Sequence, residues 1–485
     1  MSGPPSSATR RRAPGRITHP SHEDPVVRHA SEVVGGPVGR HWRPHPWWTP
    51  VRVVLAVACV AFVLAMVQKA PCDRTGWDGS NSRYAKMCYT DLPFLYVSRG
   101  FAERHLPFTD SGGRYPALEY PVLIGYFAYG AAVVDQVVAG AKDVADRGEV
   151  PVASIGADPQ VEKERQAYFL VSAVLLAPFA LLAAYFLAGA HRGRPWDAMA
   201  FAASPALVLA GLVNWDLVAV ACVAGAFWAW ARGRPVLSGV LIGLGTAAKL
   251  YPLFLLGALL VVAIRRRTLP DVGRAAAGAA VAWLLVNLPA LLGDLDQWKG
   301  FWQFNSGRGA DLGSLWLVVV HRGHEVSPHT INVVSWIVFL AVCVGVLVLG
   351  LVAKHPPRIA QLAFLVLVGF LLVNKVYSPQ YVLWLLPVAV LARPRWRDLL
   401  IWQAGEVFYF VMVWLYLGGY TASGTSGAQD SAYTFAILVR VAAELYLVAV
   451  VVRDVLRPWH DPARTHLAED PMYPDPGGRQ ALTRS

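Results

Sequence analysis

Long apolar runs alternate with short polar turns from residue 51 to about residue 452. The first run, Val51 to Val67, follows a polar leader too long for a typical signal peptide, so it predicts a membrane anchor. Further apolar segments lie at roughly 117–140, 167–190, 197–213, 215–231, 236–249, 251–264, 275–293, 331–353, 361–374, 376–392, 398–418 and 433–452. Several fall short of the ~20 residues a single span needs. The pattern predicts an all-α polytopic membrane protein whose membrane domain covers 48–455. Residues 1–47 carry no apolar periodicity and predict a disordered tail, and 456–485 predict a second one.

Charge orients these segments. The N-terminal tail has seven Lys/Arg against three acids, which places it in the cytoplasm. Short basic turns recur at Arg192/Arg194, Arg232/Arg234, Arg265–Arg267, Lys354/Arg358, Arg393/Arg395/Arg397 and Arg453/Arg457. With every such turn cytoplasmic, 197–213/215–231, 236–249/251–264 and 361–374/376–392 become hairpins that go out and back, and both termini stay inside. Residues 69–116 and 294–330 are then outer loops. The loop 141–166, with six acids and four bases, suits the outside as well. Segment 117–140 would therefore start and finish on one face, as a re-entrant or interfacial helix. That gives twelve crossings; the alternative, with the charge rule failing once, gives thirteen.

Composition agrees with this picture. The 485 residues are 55% hydrophobic and 15% charged, with a mean hydropathy of +0.42, against about 45–50% and about 25% for soluble domains. The net charge of +11 falls largely in the tail and the basic turns, so it calls for no nucleic-acid partner. Five Cys are too few for a disulfide-dense scaffold.

The charges that break the basic-turn pattern are the informative ones, because ionisable groups at membrane depth are costly and mark sites. The three hairpin tips carry Asn214-Trp215-Asp216, Lys249-Leu250-Tyr251-Pro252 and Asn374-Lys375-Val376-Tyr377-Ser378-Pro379-Gln380, all on the outer face. In the first outer loop, Pro93 and the helical spacing of Phe94, Val97 and Phe101 predict a short interfacial helix. Asp91 stands at its start, either as an N-cap or as a general base; the two readings are compatible. Asp294-Leu295-Asp296 has a spacing suited to a divalent cation. Cys72 and Cys88 share the first outer loop, where an oxidising exterior would allow a disulfide.

Asp91 with its aromatic helix, Tyr115-Pro116 and Glu119-Tyr120-Pro121-Val122-Leu123 resemble the first loop of glycosyltransferase family 87. The resemblance continues through Asn214-Trp215-Asp216-Leu217, Gly243-Leu244-Gly245 to Pro252, Arg308-Gly309-Ala310-Asp311 and Asn374 to Tyr381, covering roughly residues 50–455. Many members have Tyr-Pro-Pro where this chain has Glu119-Tyr120-Pro121-Val122. The resemblance implies a GT-C-like bundle and an inverting transfer of a sugar, chiefly mannose, from a polyprenyl-phosphate donor to a lipid-linked envelope glycan. The implied location is the outer face of the plasma membrane, with no cofactor and no metal. Asp91 maps onto the family's catalytic base. Lys249, Arg308 and Lys375 become candidate donor-phosphate cations, with Tyr251, Tyr377, Ser378 and Gln380 as hydrogen-bonding neighbours. Glu119, Asn214, Asp216 and Asn305 are candidates for contact with the acceptor or the sugar. Arabinofuranose as the transferred sugar, or lipid or glycan transport, are the alternatives.

Overall fold

The computed structural model describes residues 24–35, 45–77, 79–109, 113–191, 193–421 and 430–464; among them it is helical throughout, with no strand. Helix starts follow a local rule. Thr49-Pro50 opens α2 (Pro50–Asp73), Asp158-Pro159 opens α5 (Pro159–Ala190), Ser204-Pro205 opens α6 (Pro205–Ala210) and Ser327-Pro328 opens α13 (Pro328–Val352). In each, the first residue's side chain accepts a backbone N–H of the first turn and the proline occupies a position that needs no donor.

Among the described residues six helices are long and apolar enough to cross a membrane: α2, α5, α10 (Leu269–Gly293), α13, α16 (Trp396–Leu417) and α17 (Ser431–Leu456). Other apolar segments are shorter helices: α4 (Val122–Val138), α7 (Leu217–Ala231), α8 (Pro235–Ala248), α9 (Leu255–Arg266), α14 (Ile359–Val373) and α15 (Val382–Ala392). Segment 197–213 is broken at Pro205 into short helical pieces. The shortfall has a physical basis. α7, α14 and α15 are buried on nearly all sides, so neighbouring protein rather than lipid surrounds their ends. The long helices carry the exposed apolar surface, as at Trp336, Ile337 and Leu340 of α13.

Small residues set the closest contact. A Cβ added at Gly239 or Gly243 of α8 would collide with the backbone of Ala275 or Ala279 of α10, and one at Gly278 with the carbonyl of Val236. This small-xxx-small stripe brings the two backbones together. Both ends of α4 return to the first loop. Tyr120, just before it, bonds Asp91, while Gln136 near its end donates to the carbonyls of Phe101 at 3.0 Å and Ala102 at 3.2 Å.

Both tails differ from expectation where they are described. Residues Pro25–Gly35 form helix α1, because Asp24 caps it through Val26 N (2.9 Å) and also accepts from Trp396 N (2.9 Å) at the start of α16. Residues 458–464 fold back onto the bundle. Arg358, fully buried at the start of α14, donates to both carboxylate oxygens of Asp461 at 2.7 and 2.9 Å and to the carbonyls of Leu391 and Ala392 at 2.6 Å. Arg393 similarly joins Asp398 and Asp454 at 2.8 and 2.6 Å. Residues 1–23, 36–44 and 465–485, the remainder of the two expected disordered tails, lie outside the described residues.

Burial would raise the Asp461 carboxyl, but Arg358, the Ala463 N–H and Arg464 outweigh it and hold the group below its ordinary value. A depressed carboxylate stabilises the fold above the ordinary carboxylate range and loses that contribution as pH falls through its folded value. Arg358→Ala removes the bidentate partner of buried Asp461 and leaves it only Arg464 at 3.4 Å, Gln361 and the Ala463 N–H. Thermal unfolding in detergent at neutral pH is expected to show a loss of about 3–5 kcal/mol, shrinking on acidification.

Candidate functional site

The three hairpin tips and the first loop converge at the end of the bundle away from Arg358. The backbone N–H of Asp91 donates to Val213 O (2.8 Å), and Thr90 Oγ1 to the same carbonyl (3.2 Å), docking the loop onto the Asn214–Asp216 tip. On the far side, Asp311 N donates to Lys375 O (2.9 Å) and Tyr377 N to Leu312 O (2.6 Å), docking the Arg308–Asp311 loop onto the Lys375 tip. Between them lies a cavity of about 640 Å³ lined by Asp91, Glu119, Asn214, Lys249, Arg308 and Lys375 with Asn305, Ser378, Gln380 and many aromatic side chains.

Asp91 does not cap α3 (Leu92–Ser98). Its backbone is right-handed helical (φ −71°, ψ −25°) and its carboxylate makes no bond to the first turn, because a cap needs extended geometry to turn back. Thr90 Oγ1 accepts from Leu92 N instead, at 3.3 Å. The half-buried carboxylate therefore faces the cavity, with Oδ2 accepting from Tyr120 OH at 2.5 Å. Burial pushes its pKa up. Hydrogen bonds from Tyr120 and Tyr89 and the charge of Lys249 oppose the rise, Asp216 adds to it, and the net direction is upward.

Lys249 is already partnered. Its ammonium lies 3.0 Å from Asp216 Oδ1 and 4.5 Å from the centre of the Tyr120 ring. Trp384 Nε1 donates to the other Asp216 oxygen at 2.8 Å. Asp216 itself is buried behind the wall, and so is Tyr251, which stacks on Trp384 with ring centres 4.7 Å apart. Tyr377 also stands behind the wall. It donates to both Glu406 oxygens at 3.0 Å and lies under the Arg440 guanidinium at 3.6 Å. Asp216, Tyr251 and Tyr377 thus support the site from behind, where the sequence placed them as ligand contacts.

The Arg308 and Lys375 end is cationic. Arg308 bonds Asp311 at 2.5 Å, whereas Lys375 Nζ donates to neutral groups, Asn332 Oδ1 at 2.6 Å and Ser306 O at 3.4 Å. Burial and the neighbouring Arg308 charge lower the Lys375 pKa. A bound anion would relieve that repulsion. Three buried side-chain atoms on residues lining the cavity have no hydrogen-bond partner: Nδ2 of Asn214, Oε1 of Gln380 and Nε1 of Trp414, on residues 1%, 7% and 2% exposed. Asn214 Oδ1 accepts from Asp216 N at 2.9 Å, which fixes the amide with its NH₂ free. Glu119 accepts from Arg99 at 2.7 Å on the cavity rim.

A second, apolar cavity of about 340 Å³ adjoins the first and shares Tyr120, Pro121, Leu250, Phe301 and Trp302 with it. Its floor is the small-residue stripe of α8 and α10, including Gly243, Ala276 and Ala279. Asp294 of the Asp-x-Asp triplet caps α11 (Leu295–Gly307) through Asp296 N and Gln297 N, and Asp296 points into solvent. Among the described residues no three His, Cys, Asp or Glu side chains gather as a metal site. Cys72 and Cys88 are joined as a disulfide.

A model of glycosyltransferase family 87 matches residues 163–379. Over that stretch the chain is similar to glycosyltransferases of this family. The match takes in Asn214, Lys249, Arg308 and Lys375, and Asp91, Glu119 and Gln380 lie outside it. No curated protein matches the chain. Tyr120, Asn332 and Trp384 were missing from the sequence-level site. Each had a local signal: a tyrosine beside Glu119, an amide in the first turn of an apolar run, and a tryptophan one turn past the Lys375 tip.

Thiol labelling under denaturing conditions is expected to modify Cys59, Cys222 and Cys343 without reductant, and all five Cys after reduction. Labelling of Cys72 or Cys88 before reduction would contradict the pairing.

Proposed function

We propose that this protein is a membrane glycosyltransferase that moves mannose from a polyprenyl-phosphate donor to a hydroxyl of a lipid-linked envelope glycan, with inversion, at the outer face of the plasma membrane. The carrying observation is that one cavity holds a carboxylate free of its helix, Asp91, and an uncompensated cation, Lys375, beside Arg308. No ordered metal or cofactor is needed for the steps below. The acceptor oxygen attacks the anomeric carbon, and its proton passes to Asp91. The bond from that carbon to the phosphate oxygen breaks, and its electron pair leaves with the polyprenyl phosphate. Lys375 and Arg308 stabilise that departing charge, as fixed cations aimed at developing charge do. Lys249, held by Asp216, keeps the cavity wall closed over Tyr120 and biases Asp91 toward its ionised form. Asn214 Nδ2 and Gln380 Oε1 offer the sugar one donor and one acceptor. The apolar second cavity suits the first isoprene units of the donor, since it shares a wall with the polar one.

Purified protein with labelled polyprenyl-phosphate mannose and a panel of envelope glycolipids tests this reading. Asp91→Asn is expected to lower kcat by about 10²–10⁴-fold, and full turnover would remove the base assignment. Lys375→Ala is expected to lower kcat/KM about tenfold or more, the loss of one charge-assisted hydrogen bond. Transfer from a soluble nucleotide sugar, or from polyprenyl-phosphate arabinofuranose in preference to mannose, would replace the donor.

Tyr120→Phe probes the electrostatics separately. Removing a hydrogen bond to the carboxylate raises its pKa further. A base must be ionised to act, so the acidic limb of kcat/KM is expected to move to higher pH, while the alkaline limb stays in place.

A further inference from the structure

The last two turns of α2 fasten the segment that carries Asp91. Gln68 Nε2 donates to Met87 O, Lys69 Nζ donates to Tyr89 O at 2.8 Å, and Cys72 is disulfide-bonded to Cys88. Positions 68, 69 and 72 share one helix face, so three successive loop residues are pinned to one rigid element. Asp91 follows two residues later.

Lys69 stands out among the three. Its side chain is fully buried, 0% exposed, and its hydrogen bond goes to a neutral carbonyl. Gln68 shows that a neutral amide suffices for tying a carbonyl here, whereas burying an ammonium costs several kcal/mol unless a countercharge compensates. The acid whose charge acts on Lys69 is Asp91. The Lys249 ammonium, by contrast, is claimed by Asp216. Asp91 is thus flanked by a cavity-lining cation with its own acid and a buried cation with none bonded to it.

We propose that Lys69 is a positioning residue for Asp91: through Tyr89 O it sets the depth of the carboxylate in the cavity, and its charge is the carboxylate's countercharge from behind. This rests on the reading of Asp91 as the base. Lys69 touches neither substrate, so its loss acts on the turnover step rather than on donor capture.

The test uses the full chain in detergent with two variants, Lys69→Met and Lys69→Gln. Both remove the charge, and Gln keeps a shorter donor. Each is read for kcat and donor KM with polyprenyl-phosphate mannose, and for hydrogen–deuterium exchange over residues 87–98. The expected result is a fall in kcat of about tenfold or more in both, since small misplacements of a reacting group are costly, with donor KM within about threefold. Exchange over 87–98 is expected to rise, more in Met than in Gln. Where Lys69→Met is not recovered folded, Lys69→Gln decides on the same criteria. Unchanged exchange over 87–98, unchanged kcat, or a loss confined to KM would overturn the proposal. Full activity in Asp91→Asn would overturn the base reading instead, and the exchange measurement would still report whether Lys69 holds the loop.

Discussion

The ion pair between Lys249 and Asp216 is the contact around which the site is assembled. Asp216 lies at the start of α7, Lys249 at the end of α8, Trp384 in α15, and Tyr120 just ahead of α4. The pair, the indole N–H on its second oxygen and the cation over the tyrosine ring tie four separated parts of the chain at one level. In an apolar bundle such a pair holds only if its remaining valences are filled, because an unpaired buried charge is strongly destabilising. Trp384 and the Tyr251 and Tyr381 rings stacked against it supply that enclosure. Tyr120 then stands where its hydroxyl can reach Asp91, and the position of the proposed base follows from a pair of which only Lys249 lines the cavity.

The two ends of the bundle use charge in opposite ways. At the end with Arg358 and Arg393, buried guanidiniums are paired with Asp461, Asp398, Asp454 and backbone carbonyls. These bonds also hold residues 458–464 in place. At the cavity end the balance is left open: Asp91 accepts from a phenol and Lys375 donates to an amide oxygen and a carbonyl, and among the described residues neither forms an ion pair. Paired charges lock helices; unpaired ones at a cavity favour a ligand that completes them.

Much of this organisation was legible because membrane depth makes polar residues conspicuous. The three hairpin tips, Asp91, Arg308 and Lys375 could be picked out against apolar runs, and the structure brings them to one cavity. What sequence could not separate was the wall from what stands behind it. Asp216 and Tyr377 sit in the same tips as Asn214 and Ser378, yet one step of backbone direction turns them toward Trp384 and Glu406. Lys69 escaped notice because it closes an apolar helix, where a lysine reads as an interfacial anchor. The folded pieces of the two tails escaped for another reason. Asp24 and Asp461 are ordinary solvated acids until Trp396 N and Arg358 are brought beside them by the fold.

Helix length also connects to the proposed chemistry. A helix fully exposed to lipid must cover the hydrocarbon thickness itself, and the six long helices meet that need. α8 does not, with only 14 residues before Lys249. Its end can lie below the surface because α10 packs backbone to backbone against it through Gly239, Gly243, Ala275 and Ala279. The same absence of side chains leaves the apolar cavity above that stripe, directly beside the polar one. A short helix packed through glycine therefore accounts for two features together: a lysine held at cavity depth, and an apolar compartment adjoining it. A ligand with a charged phosphate joined to a long hydrocarbon chain is the chemistry that uses both, which favours a lipid-linked donor over a soluble one.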